Sequence, residues 1–485
     1  MESIWKKDCQ FLKREQLNGD IKTDVAIIGA GIAGLLIATL LQQKGVEVIV
    51  LEGNEIASGQ TGNTTAKITS QHDLIYDKLI NEVGKEKAYQ YAMSNQQAIQ
   101  MYSKMIEEQS ISCHFEELPA YVYTLQDVSK IEKEVDAAKR LGIDAEFTTE
   151  TTLPFTVKGA VKFNNQAQFN PLEFLQVIAK PLKIYEHTVV KEIVDQTIIT
   201  ENGKVKAKTI VVATHYPFMN APGYYFLRMH QERSYVIGLE NTPKLQGMPK
   251  LQGMYIDEDK QGFSLRNYKD MLILGGGGHR TGENTNGGRY EKLRKAAGEY
   301  YPDSVEVCHW SAQDCMTLDD IPYIGLYSAS TPNLYVATGF KKWGMTTSMV
   351  SAMILSEKII GNKNPYEEVF SPQRFKVNAS MKNFLNEGKH AATGIFLENF
   401  NVPSAHLEQI QNGHGGIIEY EGHKIGVYKN IVGKVFMVYT KCTHLGCKLE
   451  WNPDELSWDC PCHGSRFDYT GKLIDNPAME DLENE

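Results

Sequence analysis

Asp24-Val-Ala-Ile-Ile-Gly-Ala-Gly-Ile-Ala-Gly34 is the stretch that decides the fold. Asp24–Ile28 reads as a short buried strand, and an apolar helical run follows from Leu35 to Leu41, stopped at Gly45. A second strand, Val46–Leu51, ends on Glu52. Strand, glycine turn, helix and strand make a βαβ unit. The G-x-G-x-x-G spacing gains its meaning from that context. Gly29 permits the tight turn, Gly31 lets the backbone approach a pyrophosphate, and Gly34 lets the helix pack closely on the strand. The helix start offers free N–H groups and a positive dipole end to phosphates. Glu52 stands where an acid bonds ribose hydroxyls. The unit reads as a dinucleotide site rather than as a structural glycine turn. It does not by itself say which dinucleotide.

Working outward, the chain has 485 residues, room for two to four domains at roughly 100–200 residues each. Hydrophobic residues make up 42% and charged residues 23%, an ordinary globular composition that excludes disordered, collagenous and coiled-coil chains. The net charge of -10 argues against nucleic acid as a partner, which needs a basic surface. No apolar stretch reaches the ~18–20 residues of a membrane span. The start, Met1-Glu2-Ser3-Ile4-Trp5-Lys6-Lys7, runs into polar residues rather than a signal-peptide apolar region, so the cytoplasm is the expected compartment. Four of the eight cysteines crowd between Cys442 and Cys462. In a reducing compartment such clusters bind metal more often than they form disulfides.

Residues 70–110 are polar and helix-rich. Thr197–Thr200 and Thr209–Ala213 read as a strand pair around the Glu201-Asn202-Gly203 turn, and Tyr235–Leu239 and Met271–Leu274 as further strands. Asn333–Ala337 is a strand, Gly339 and Gly344 bracket a loop, and Met349–Ile360 is an apolar helix. Met271-Leu-Ile-Leu-Gly-Gly-Gly-Gly278 imitates a second nucleotide loop, but Arg280 replaces the third glycine and no helix follows, so it reads as a strand and wide turn. From about residue 406, short strands and glycine turns mark a separate small β domain.

Five scattered stretches resemble the glycine/D-amino-acid oxidase-like family of FAD-dependent oxidoreductases over roughly residues 20–375. Ser58-Gly-Gln-Thr-Gly-Asn-Thr-Thr65 matches that family's small-residue loop over the flavin, with Thr64 and Thr65 at its end. Thr188-Val-Val190 matches the adenine strand and Val211-Val-Ala-Thr214, with Ala213, the strand closing the FAD domain. Thr317–Gly325 matches T-x-D-x-x-P-x-I-G, and Ala337–Thr346 the final flavin loop, carrying Gly339, Gly344, Met345 and Thr346. The resemblance implies FAD as cofactor. Some relatives attach flavin through a cysteine near the matching loop. Cys315 lies closer to Thr317 and Asp319 than theirs does.

The tail reads Cys442-Thr-His444-Leu-Gly-Cys447, twelve residues, then Cys460-Pro-Cys462-His463-Gly-Ser465. Four cysteines and two histidines exceed the four ligands of a zinc site. A Rieske 2Fe-2S centre takes two cysteines and two histidines. The pattern resembles Rieske domains of the respiratory-complex type. That resemblance implies Cys442 and Cys460 on one iron, His444 and His463 on the other, and a disulfide between Cys447 and Cys462. Asn476-Pro-Ala478 resembles the proline loop that covers such clusters. Ser465 is a candidate donor to a cluster sulfur, whereas Phe467 stands where high-potential relatives carry a tyrosine. One donor is lost, which predicts a potential mid-way in the broad Rieske range, about −150 to +300 mV.

His72, Arg266, His279 and Lys342 are polar residues in segments that could face a flavin, Arg266 as a bidentate carboxylate binder. Cys9, Cys113 and Cys308 read as small buried apolar side chains. The expected architecture is α/β and α+β. A Rossmann-like FAD-binding domain is interleaved with a mixed-sheet substrate domain over residues 1–380, a linker spans 381–405, and a small all-β Rieske domain spans 406–485. The expected activity is amine or amino-acid dehydrogenation, with electrons passing from flavin to the Rieske cluster and on to an external acceptor, a carrier protein or quinone-like molecule. Reverse flow and a non-enzymatic redox sensor are the alternatives. No two-His-one-carboxylate set marks a Rieske oxygenase.

Overall fold

The computed structural model describes residues 2–7, 9–241, 250–374, 410–420 and 423–483. The expected linker, 381–405, lies outside them. Three bodies of sheet organise the described chain.

The first sheet has eight strands, with Ile21–Ile28 at its centre between Val48–Leu51 and Lys204–Val212, all three parallel. Leu334–Thr338 adds in parallel beyond Lys204–Val212, and Lys183–Tyr185 beyond Val48–Leu51. Its strands are apolar runs because helices cover them. Helices Ile32–Gln43 and Gly344–Ile359 pack together, both buried almost throughout. The expected hairpin at Glu201–Gly203 is present, with Thr197–Thr200 pairing Lys204–Lys206. The apolar helix starts earlier than its hydrophobic run, at Gly344, because polar Thr346, Thr347 and Ser348 are buried in its first turns.

The second sheet has nine strands and is mixed. Val305–Thr317, Met229–Glu240 and Met271–Arg280 form one antiparallel end. The glycine run Gly275–Gly278 lies inside Met271–Arg280, so it is strand throughout and forms no wide turn. The ladder with Met229–Glu240 pairs Gly275 and Gly276, shifts register at Gly277–Gly278 and resumes at His279, and Gly275, Gly276 and Gly278 leave room for a cavity on one face. The tail forms a three-stranded and a four-stranded sheet, both antiparallel.

The polar start is not a loose leader. Trp5 is fully buried, its Nε1 donating to Thr64 O at 2.7 Å, and Lys6 Nζ donates to Ser58 O at 3.2 Å. Further along, Leu17 N donates to Thr188 Oγ1 at 3.1 Å. This segment straps the small-residue loop at one end and the Thr188 turn at the other. Among the described residues, no helix is long and apolar enough to cross a membrane.

Candidate functional site

One cavity of about 980 Å³ runs from the βαβ turn to the second sheet and the tail domain. That is at the upper end for ligand pockets, roughly 300–1,000 Å³. At the nucleotide end the glycines are sterically required. Gly29 has φ +107, and a Cβ there would sit 2.6 Å from Ala213 O. A Cβ on Gly34 would sit 2.0 Å from Gly29 O, so this residue serves helix–strand contact rather than the cavity. Gly31 lines the cavity at the start of Ile32–Gln43, whose first amide, Ile32 N, donates to Thr61 Oγ1 at 3.0 Å. Gly344–Ile359 begins with no cap from the Trp343 side chain, and Gly344 and Met345 lie on the wall. Two helix N-termini, each with a positive dipole end, on one cavity suit an anionic dinucleotide. Glu52 Oε2 accepts from Ala30 N at 2.7 Å, fixing the turn, and burial pushes its carboxyl up. Thr64, Thr65, Val190 and Ala213 also line the cavity. Gly325, Gly339 and Thr346 are not among its lining residues. Gly339 has φ +72, and a Cβ on it would lie 2.4 Å from Thr317 Cγ2. Thr346 Oγ1 donates to Thr69 O at 2.9 Å. The chemistry of this cradle fits FAD.

At the other end the wall is the Met229–Glu240 and Val305–Thr317 strand pair. Register places Glu232 directly opposite Asp314. Like charges opposed across a ladder repel. Lys342 Nζ, 3.4 Å from each carboxylate, offsets this. Burial pushes the Asp314 carboxyl up. Burial works the same way on Glu232, but a hydrogen bond to His230 and the Lys342 charge hold it well below the usual range. Such divergent neighbours are candidates for separate proton-holding roles. Lys342 is pushed down by burial and held up more strongly by Asp314 and Glu232. Lys67 lines the same cavity and forms no ion pair among the described residues, with Asp73 acting on it only at a distance; Ser264 Oγ accepts from its Nζ. Burial, with Arg266 nearby, brings Lys67 down to about 7.

The other expected polar residues are held differently. His72 lines the cavity but both its nitrogens are engaged, Nδ1 with Tyr91 OH at 2.6 Å and Nε2 with Thr69 O at 2.8 Å. Burial brings it down to about 3, so it stays neutral, stacked 4.9 Å from Trp343. Arg266 does not line the cavity. Its Nη1 donates to Thr65 O at 2.7 Å and Ala66 O at 2.6 Å, so it positions the flavin loop. His279 lines the cavity with Nδ1 on Arg280 O at 2.6 Å and Nε2 on Tyr235 OH at 3.1 Å. Cys315 is buried beside His215 O and Gln231 Oε1 and is not a lining residue, whereas its neighbours Asp314 and Met316 are. Strand alternation turns its thiol away from the cavity.

In the tail, the two cysteine loops fold alike. Cys442 N donates to Cys447 O and Gly446 N to Cys442 O; Cys460 N donates to Ser465 O and Gly464 N to Cys460 O. Gly446 and Gly464 both have positive φ, +77 and +86. Cys447 and Cys462 form a disulfide joining the loops. The Cys442 and Cys460 thiols are hydrogen-bonded together, which moves Cys442 down to about 7 and Cys460 up. His444 and His463 rings lie 5.0 Å apart at 90°. Each has a buried Nδ1 with no partner, whereas His444 Nε2 donates to Asn220 Oδ1 at 2.7 Å. Burial brings them down to about 4 and about 3, so both are neutral ligands in waiting. Buried polar atoms rarely stay unsatisfied without a missing partner. Two orphaned imidazole nitrogens and two free thiols fit a Rieske 2Fe-2S cluster. Ser465 Oγ accepts from Ala478 N at 3.0 Å and bonds the Cys442 sulfur, while Phe467 is fully buried.

The FAD dependent oxidoreductase family matches residues 24–358. The chain belongs to that family. The Rieske [2Fe-2S] domain matches residues 401–484, so FAD and a Rieske-type 2Fe-2S cluster are its cofactors. The Bacillus subtilis Rieske 2Fe-2S iron-sulfur protein YhfW is 36% identical over 99% of this chain and 97% of its own length. The cytochrome b6-f complex iron-sulfur subunit of Synechococcus elongatus is 57% identical over 92 residues, 19% of this chain and 47% of that protein. Among solved structures, L-proline dehydrogenase from P. horikoshii has a TM-score of 0.60 at 20% identity, covering 74% of this chain and 98% of that one. Glycine oxidase from Geobacillus kaustophilus has a TM-score of 0.62 at 17% identity, covering 73% and 99%. At these identities the structures speak for the fold.

Sequence reasoning missed Glu232, Asp314 and Lys67. Strand alternation flags which residues share a face, but only the register between distant strands brings Glu232 to Asp314. Lys67 sits in a two-residue strand, Lys67–Ile68, with no pattern of its own.

Proposed function

We propose that this protein is an amine or amino-acid dehydrogenase whose electrons leave through its Rieske domain to an external one-electron acceptor. The observation that carries this reading is the shared cavity: Gly31 and Gly344 from the flavin side, and Asn476 and Ala478 from the loop covering the cluster, line one space. When bound, FAD supplies a two-electron acceptor for a carbon–nitrogen bond, and the cluster a one-electron carrier.

The chain's own residues suit a small nitrogenous substrate. Glu232, kept ionised, offers a carboxylate to a substrate ammonium. Asp314, pushed up by burial, takes and holds a proton from it. Lys342 keeps the two carboxylates compatible. Lys67 offers a buried positive charge to an anionic group. The cluster ligands in this reading are Cys442, Cys460, His444 and His463. The functional units are residues 1–380 and 406–485, joined by 381–405.

The test is anaerobic bleaching of the bound flavin with N-methylated amino acids, D-amino acids and polyamine derivatives, comparing wild type with His463→Ala. The reading predicts bleaching in both proteins and fast reduction of a carrier protein or dye only in wild type. Equal acceptor rates would overturn the relay.

A further inference from the structure

The strand pair that walls the cavity has a second face. Glu232, Ala312, Asp314 and Met316 line the cavity. The residues between them meet the tail domain instead. Gln231 Nε2 donates to His463 O at 2.8 Å and to Asn476 O at 3.0 Å. Gln313 Nε2 donates to Gly464 O at 2.8 Å and to Gln231 Oε1 at 2.7 Å. Two glutamines, bonded to each other, therefore grip the Cys460–Ser465 loop and the Asn476–Ala478 loop beside the cluster. The bonds to His463 O and Gly464 O and the one between the glutamines are buried, where a hydrogen bond left unmade is costly.

Steric fit supports the same placement. A Cβ on Gly464 would lie 2.6 Å from Gln231 Cβ, and one on Gly282 2.6 Å from Pro461 N. Arg233 on the same face pairs with Glu455 in an ion pair whose side chains are 2% and 7% exposed. On the outer side, Asn476 Nδ2 donates to Tyr216 O at 2.9 Å, and Phe226 packs edge-on to His463 at 5.7 Å. A domain that swung away in each turnover would expose this buried ion pair and leave two buried acceptors, His463 O and Gly464 O, without their partners.

We propose that the Rieske domain is fixed on the back of the cavity wall rather than mobile, and that Gln231 and Gln313 are the positioning residues that hold its cluster loops there. This rests on the electron-relay reading for its purpose, but the placement itself is measurable without it.

The test uses the full holoenzyme and two variants. In Gln231→Met/Gln313→Met the chain length is kept and the amides are lost. Hydrogen exchange should be slow over Pro461–Ser465 and Asn476–Met479 in wild type and faster in the variant by about tenfold or more, at unchanged FAD and iron content. After light-driven reduction of FAD with EDTA as donor, the reduced-cluster EPR signal should rise about tenfold more slowly in the variant, while flavin reduction itself keeps its rate. The second variant, Gly287→Cys/Pro453→Cys, uses a Cβ–Cβ separation of 3.6 Å, within the range of a disulfide, to lock the domains. Fixed placement predicts that the oxidised, locked protein reduces its cluster at the wild-type rate. A locked protein that loses the transfer until its cross-link is reduced would overturn the proposal in favour of a swinging domain. Unprotected cluster loops in wild type, or a glutamine variant indistinguishable from it, would overturn it as well. A wild-type cluster that never takes up electrons, with loops protected, would instead overturn the relay reading and leave the fixed placement supported.

Discussion

Replacing Glu455 by Gln removes one charge from the most buried ion-pair network of the domain interface. Glu455 Oε2 accepts from Arg233 Nε at 2.9 Å and lies 3.2 Å from Arg466 Nη2. Burial alone would raise its carboxyl; the two guanidiniums outweigh that and lower it from 4.5 to about 2. A depressed carboxylate stabilises the folded state above its unfolded value and loses that contribution as pH falls towards its folded one. At about 1.4 kcal/mol per pH unit, the two values give roughly 3 kcal/mol at neutral pH, lost between about pH 5 and pH 2. Breaking one side of a buried pair costs about 3–5 kcal/mol in general. The low end applies here, because Arg233 keeps Asp475 at 3.7 Å and Arg466 keeps Asp459 at 3.0 Å. The assay is urea unfolding followed by the visible circular dichroism of the cluster. With a slope of ~2 kcal/mol per M, the midpoint should fall by about 1.5 M. Arg233→Met/Glu455→Leu should recover at least ~1 kcal/mol, since apolar replacement of a whole buried pair is cheaper than orphaning half of it. A midpoint shift under about 0.3 M in Glu455→Gln, or a wild-type midpoint unmoved between pH 7 and about 3, would refute the reasoning.

Three further outcomes follow from named contacts. Lys67 is charged below about 7 and neutral above it. Binding of an anionic substrate should therefore weaken as pH rises through 7, seen as a rising KM, and Lys67→Met should flatten that profile. Trp5→Ala releases the strap over Thr64, so the dissociation constant for FAD should rise about tenfold or more, read by flavin fluorescence, with the fold retained by circular dichroism. Gly34→Ala places a Cβ 2.0 Å from Gly29 O. Its protein should purify without FAD while keeping its iron, because the tail sheets pack on a hydrophobic core of their own, around Val438, Trp458 and Phe467.

The features legible in the sequence were those written in short spacings. Gly29, Gly31 and Gly34 between two strands, and Cys442-Thr-His444 with Cys460-Pro-Cys462-His463, each place their chemistry within a few residues, so local geometry decides the outcome. Residues whose role depends on tertiary register were hidden. Glu232 and Asp314 become neighbours only through strand pairing, and Gln231 and Gln313 only through what packs on the opposite face. Arg266 has the side chain of a carboxylate binder, yet the nearby carbonyls of Thr65 and Ala66 claim it. Trp5 sits in a polar stretch that no periodicity marks as buried. Gly275–Gly278 misled in the other direction, since a glycine run usually ends a strand, and here pairing with Met229–Glu240 on either side of an irregularity at Gly277–Gly278 carries the strand on to Arg280.

Electron passage from flavin to cluster is read most directly by anaerobic reduction of the holoenzyme with the amine that best bleaches its flavin, following flavin absorbance and cluster EPR in the same samples. The reduced-cluster signal is expected to rise as the flavin bleaches. Complete flavin bleaching with the cluster still oxidised would contradict it.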